Sequence, residues 1–131
     1  MIAVADLREL AIARLKGAET LYAAGQYDTC VYLCGYCIEL LLKARICRTL
    51  GWRGFPESNT EFQRYASFRT HDLEALLHLS GIEMAIKSEH QNAWKAVKSW
   101  EPNFRYLPTG AFTADTASHM LNAVKELLGV I

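Results

Sequence analysis

The stretch Tyr27–Leu50, YDTCVYLCGYCIELLLKARICRTL, constrains this chain more than any other. Wound at about 100° per residue, it gathers its polar groups into one narrow stripe: Asp28, Tyr32, Tyr36, Glu39 and Lys43, with Gly35 beside them. Cys30, Val31, Leu33, Cys34, Cys37, Ile38, Leu40, Leu41, Leu42 and Ala44 occupy the rest of the circumference. A helix that is apolar over most of its girth must be surrounded by protein. Each large side chain so buried contributes roughly 1.5–3 kcal/mol before ordering entropy is subtracted. The stretch does not suit a membrane. Glu39 and Lys43 interrupt the run from Cys37 to Ala44, far short of the ~20 apolar residues a bilayer needs.

The remaining totals set bounds. With 131 residues, 51% of them hydrophobic, and no linker or low-complexity tract, one domain over residues 1–131 is expected. The 14 basic and 14 acidic residues cancel, which argues against binding nucleic acid through overall charge but leaves room for a local patch. The opening MIAVADLREL mixes charges into its apolar residues, so no secretory leader is expected. Cys30, Cys34 and Cys37 share one face of the central helix and cannot easily bridge one another without strain. They read as small core residues of a cytoplasmic protein. A metal site would need a second cluster to complete four ligands, and no metal is expected.

Taken in order, Ala5–Ala24 is predicted as a first helix, with Leu7, Leu10, Ala11, Leu15, Ala18, Leu21 and Tyr22 at helical spacing. Gly25 stops it, and the immediate restart forces the next helix antiparallel. Gly35, with Ala11 and Ala18, is expected to let the two backbones approach. After Gly51 comes a long connection to Thr70, rich in aromatics (Trp52, Phe55, Phe62, Tyr65, Phe68) and carrying Arg53, Arg64 and Arg69 just after Arg45 and Arg48. Its aromatics either pack the connection onto the bundle or form, with the arginines, a phosphate-binding rim. Thr70 is expected to cap a short third helix ending at Ser80–Gly81. A fourth helix is predicted over Ile82–Trp100, then an aromatic loop PNFRYLPTG, then a last helix capped by Thr113. No strand pattern of useful length is present. The expected fold is all-α, an antiparallel four- to five-helix up-and-down bundle.

Three segments carry a resemblance: AIARLKGAETLYAAGQYDTCVYLCGYCIELLLKA, HDLEALL at His71–Leu77, and WKAVKSWEPNFRY at Trp94–Tyr106. Together they resemble the HEPN family of small helical domains. The resemblance implies a bundle that is commonly a homodimer and often works beside a nucleotidyltransferase partner in toxin–antitoxin or defence systems. Some members are metal-independent ribonucleases; others bind a nucleotide, RNA or a protein without catalysis.

The ribonuclease motif of that family is an arginine, four to six residues, then a histidine. Arg64 and His71 are the literal match here, although Tyr65 replaces the usual polar residue and the pair falls early in the chain. The histidine would move protons and the arginine hold phosphate. His78, His90 and His119 suggest no chemistry. No glycine-rich phosphate loop, HExxH or nucleophile elbow occurs, so no cofactor is expected.

Glu39 and Lys43 read either as a self-neutralising i,i+4 pair or as part of a polar track in a groove, where Tyr36 joins them and Arg105 and Tyr106 arrive from the aromatic loop. Arg105 would then bind Glu39 or a phosphate, and Arg69 would extend the basic rim. The leading expectation is an accessory HEPN protein binding a nucleotide, RNA or a nucleotidyltransferase. A ribonuclease using Arg64 and His71, and a structural protein that only self-associates, are its rivals.

Overall fold

A computed structural model describes residues 1–131. Two long helices form its spine, α1 (Val4–Ala23) and α2 (Tyr27–Leu50), the second with the predicted bounds. Gly25 takes the left-handed conformation, at φ 76°, in the turn between them, and so short a turn folds them back on each other. Gly51 ends α2 in the same conformation, at φ 69°.

The spine is then wrapped. Short α3 (Asn59–Phe62) follows the first connection; α4 (Leu73–Ser80), α5 (Glu83–Glu89), α6 (Gln91–Val97) and α7 (Ala114–Leu128) complete the helices. Helices α1, α4 and α7 all pack on α2, and α6 packs on α7. One cluster of 30 buried apolar residues runs through the middle, and α2 contributes Cys30, Val31, Cys34, Cys37, Ile38, Leu41, Leu42, Ala44, Ile46 and Cys47 to it. The fold is the all-α bundle that the periodicity implies.

Several local expectations change. A two-residue antiparallel pair joins β1 (Ile2–Ala3) to β2 (Gly54–Phe55), with Ile2 opposite Phe55 and Ala3 opposite Gly54. Two residues are too few to show alternation in a sequence. Gly54 is required there, because a Cβ would stand 2.5 Å from the Ile2 carbonyl oxygen. The third helix is capped by Asp72, whose carboxylate accepts from the N–H groups of Glu74 and Ala75; Thr70 instead accepts from the Asp72 N–H, one step earlier. The predicted fourth helix is broken at His90 into α5 and α6. Leu10 stands 36% exposed rather than in the core stripe. At Gly35 the nearest neighbour is a side chain. The missing Cβ makes room for the Trp100 indole, which would lie 2.0 Å from one. The connection after Gly51 is ordered by its aromatics: Trp52 packs on Tyr65 and Phe68 with ring centres 4.8 and 5.0 Å away, and Phe55 is buried against Phe62.

Candidate functional site

Glu39 lies midway along α2 and is 2% exposed. A buried carboxylate needs donors and a counter-charge. One turn on, Lys43 supplies both, with Nζ 2.8 Å from Oε1. The second partner comes from 32 residues away: His71 Nδ1 lies 2.6 Å from the same oxygen. Because a carboxylate only accepts, Nδ1 carries the proton and Nε2 is left for another group. Oε2 is buried without a partner. The Lys43 side chain, 17% exposed, also lies over the Phe55 ring at 5.2 Å, while the His71 side chain is 60% exposed. The triad thus runs from a buried acid to a histidine at the surface.

Aromatic packing builds the wall beside it. Trp100 seats on Gly35, donates from Nε1 to the Tyr32 carbonyl at 3.1 Å, and meets the Tyr36 ring edge-on at 4.8 Å. The Tyr32 and Tyr36 hydroxyls are 3.4 Å apart. Burial, and then the Tyr32 hydroxyl, push the Tyr36 phenol up to about 12, so it remains a protonated donor near neutrality. Tyr36, His71, Lys98, Trp100, Asn103 and Arg105 line a cleft of about 530 Å³, with Asp72 and Glu101 also on its rim.

Arg105 sits on the five-residue 3₁₀ turn Pro102–Tyr106 that follows Trp100. It makes no ion pair with Glu39, whose partners are Lys43 and His71. Its guanidinium instead lies over the Tyr106 ring at 4.7 Å; Tyr106, and then Tyr32, favour its charged form. The loop beyond is pinned by Asp28, which accepts from the N–H groups of Gly110 at 2.7 Å and Phe112 at 3.0 Å. Asp28 therefore leaves the polar stripe to hold a loop.

Of the residues singled out from the sequence, Glu39 and Lys43 are bonded, and Tyr36 and Arg105 line one cleft with His71. Tyr106 lies beside Arg105 but outside the lining. Arg69 is elsewhere, over the Phe62 ring at 5.5 Å. Arg64 is exposed between α3 and the next turn, and no hydrogen bond or ion pair joins it to His71. The role of His71 as the partner of Glu39 was not legible, nor were Lys98 and Asn103. The signal for the last two is their place in WKAVKSWEPNFRY, flanking the tryptophan that Gly35 receives.

All four cysteines are buried and unbridged. Cys34 and Cys37 have C-x-x-C spacing, but burial pushes the Cys37 thiol up to about 12, away from the reactive thiolate. No group of three or more His, Cys, Asp or Glu side chains is placed to hold a metal ion. No helix is long and apolar enough to cross a membrane.

An all-α bundle with a buried acid–lysine pair on its central helix is the class of protein these features define. The family model of the HEPN domain matches residues 4–58, which span α1, α2 and β2. Over those residues the chain is similar to the HEPN domain, a family that includes nucleotide- and RNA-related toxin and defence proteins. Comparisons with curated proteins and with solved structures gave no match.

Proposed function

We propose that this chain is an accessory HEPN protein whose cleft beside Glu39 binds the phosphate of a nucleotide or of RNA. The observation that carries the reading is the orientation of His71. Glu39 holds its Nδ1 from behind, and the ring lines the same cleft as Lys98, Arg105, Asn103 and Tyr36. Every one of those groups can donate to a phosphate oxygen, and the arginine can do so through two parallel N–H bonds. The lack of any direct bond between Arg64 and His71, whose Nδ1 is held by Glu39, favours binding over the ribonuclease pair. The similarity to the HEPN domain over residues 4–58 also supports a homodimer and a nucleotidyltransferase partner.

Calorimetric titration with a nucleoside triphosphate and with a short single-stranded RNA tests the reading. Binding that weakens at least tenfold in Arg105→Ala and Lys98→Ala supports it. Absence of binding to both ligands by the unaltered chain overturns it. The ribonuclease reading draws on the same contact, since a histidine oriented by a carboxylate is a general-base arrangement. It requires RNA cleavage without metal that disappears in His71→Ala.

A further inference from the structure

The cleft beside Glu39 has a neighbour on each side. On one, Tyr27, Tyr32, Phe104 and Arg105 help to line a cavity of about 530 Å³ at the start of α2. On the other, Lys87, Trp94, Lys95 and Lys98 help to line a groove of about 550 Å³ along α6. The walls between them are shared. Arg105 lines both the first cavity and the cleft, and Lys98 and Ser99 line both the cleft and the groove. The outer two have no lining residue in common. Two other elements give the same order. Helix α2 puts Tyr32 in the first cavity and Tyr36, one turn of about 5.4 Å further on, in the cleft. The entry to α4 puts His71 in the cleft, and its first turn puts Glu74 in the groove. The three hollows form one row with the cleft in the middle.

Charge follows the row. Lys95, Lys98 and Arg105 are exposed and belong to none of the chain's ion pairs, whose cations are the N-terminus, Lys43, Lys87 and three histidines. Three of the four acids along the row are engaged within the fold. Asp28 accepts from Gly110 and Phe112, Asp72 from Glu74 and Ala75, and Glu74 from Lys87 and Trp94. The fourth, Glu101, sits on the cleft rim. We infer that the row is the track of a single-stranded polynucleotide with the cleft as its middle subsite, an assignment that rests on the cleft's being the phosphate site proposed above. A mononucleotide carries its phosphates at one end and would leave outer hollows empty. In a polynucleotide a phosphate recurs between successive nucleosides, and here a cation stands on each wall between successive hollows: Arg105 on one, Lys98 on the other. The half-buried rings of Tyr32 and Phe104 line the first cavity, where a base can stack without being read by sequence. Three unpaired cations in line give a chain of zero net charge the local patch that phosphates require.

The test titrates the full chain, by calorimetry at fixed salt, with 5′-phosphorylated oligoadenylates of one, three and five nucleotides. Affinity should rise at least tenfold from one nucleotide to three. Lys95→Ala, an exposed change in the outer groove, should remove most of that gain and leave the mononucleotide unchanged, whereas Arg105→Ala should weaken both. The slope of log affinity against log salt should steepen by ~0.7 for each further phosphate engaged, and Lys95→Ala should lose about one such step. Deoxyadenylates of the same lengths identify the sugar: weaker binding of that series assigns the track to RNA through its 2′-hydroxyl, and equal binding assigns it to single strands of either kind. A mononucleotide that binds as tightly as the trinucleotide, a length gain untouched by Lys95→Ala, or a hairpin duplex that binds as tightly as the single strand overturns the track and leaves the cleft standing. Absence of binding at every length overturns the phosphate reading of the cleft, and the track with it.

Discussion

At Glu39, α2 buries an acid that meets a lysine and a histidine. Further along, Arg45 of the same helix keeps its Nε buried without an acceptor, as Arg8 of α1 keeps an Nη1. The first cluster is compensated from within the chain and so contributes to folding. The second is a pair of buried donors that the chain leaves without acceptors. The contrast separates a buried charge with partners from buried donors without them, and it makes opposite predictions for mutations on one helix.

The largest effect is expected at the compensated end. Glu39→Gln leaves Lys43 half-buried without its counter-charge, and breaking a buried pair from one side is strongly destabilising, here by about 3 kcal/mol. Urea unfolding measures it. Lys43→Met should cost a similar amount, because it leaves Glu39 in the interior with a single imidazole. A loss under about 0.5 kcal/mol in both would place the triad among exposed pairs of little worth and break the comparison.

Next comes the wall of the same cleft. In Gly35→Ala the new methyl would overlap the Trp100 indole, the most rigid neighbour available. Overpacking of this kind costs about 2 kcal/mol. It should also shift the fluorescence of Trp100, whose Nε1 bond to Tyr32 depends on that seat. Asp72→Ala removes the cap of α4 and loosens the segment that delivers His71 to Glu39, for about 1 kcal/mol. The His71 ring should then show faster exchange by NMR, and a ring that stays fixed would show that Glu39 alone positions it.

How far these sites could be read from the chain follows from sequence separation. The α2 bounds, the burial of its cysteines and the Glu39–Lys43 pair all lie within a few turns of one helix, where periodicity speaks directly. Partners that cross the fold do not register in periodicity. His71 meets Glu39 from 32 residues away, and Trp100 occupies the space at Gly35. Arg45 and Arg48 were visible as basic residues, but they merged with Arg53, Arg64 and Arg69 into one apparent rim. The fold divides that rim: Arg69 covers Phe62, Arg64 faces solvent, and Arg45 turns inward. The break at His90 was hidden because α5 and α6 keep the apolar spacing of one helix across it.

At the uncompensated end the sign reverses. Arg45→Met keeps the packing of the side-chain stem and removes an idle buried donor. The variant should be more stable than the parent by about 0.5 kcal/mol. A loss of stability at low salt would mean that Arg45 has a partner in the folded chain, and the contrast with Glu39 would fail.

The smallest effect sharpens the same contrast with a third cluster, compensated but exposed. Glu74 accepts from Lys87 at 2.9 Å and from the Trp94 indole at 2.6 Å. Lys87 first, and then Trp94, hold its carboxyl below the ordinary 4.5. A carboxylate whose folded pKa is depressed adds stability above its unfolded value and loses it as pH falls from there through the folded pKa. Solvent screening keeps the contribution small, because the side chain is 42% exposed. Urea midpoints followed downward through pH 4.5 should therefore fall less steeply in Glu74→Gln than in the parent, while the two curves run parallel near neutrality. Parallel curves throughout would show that Lys87 spends its time with Glu83 or water. Compensation would then require burial as well as proximity, which Glu39 has and Glu74 lacks.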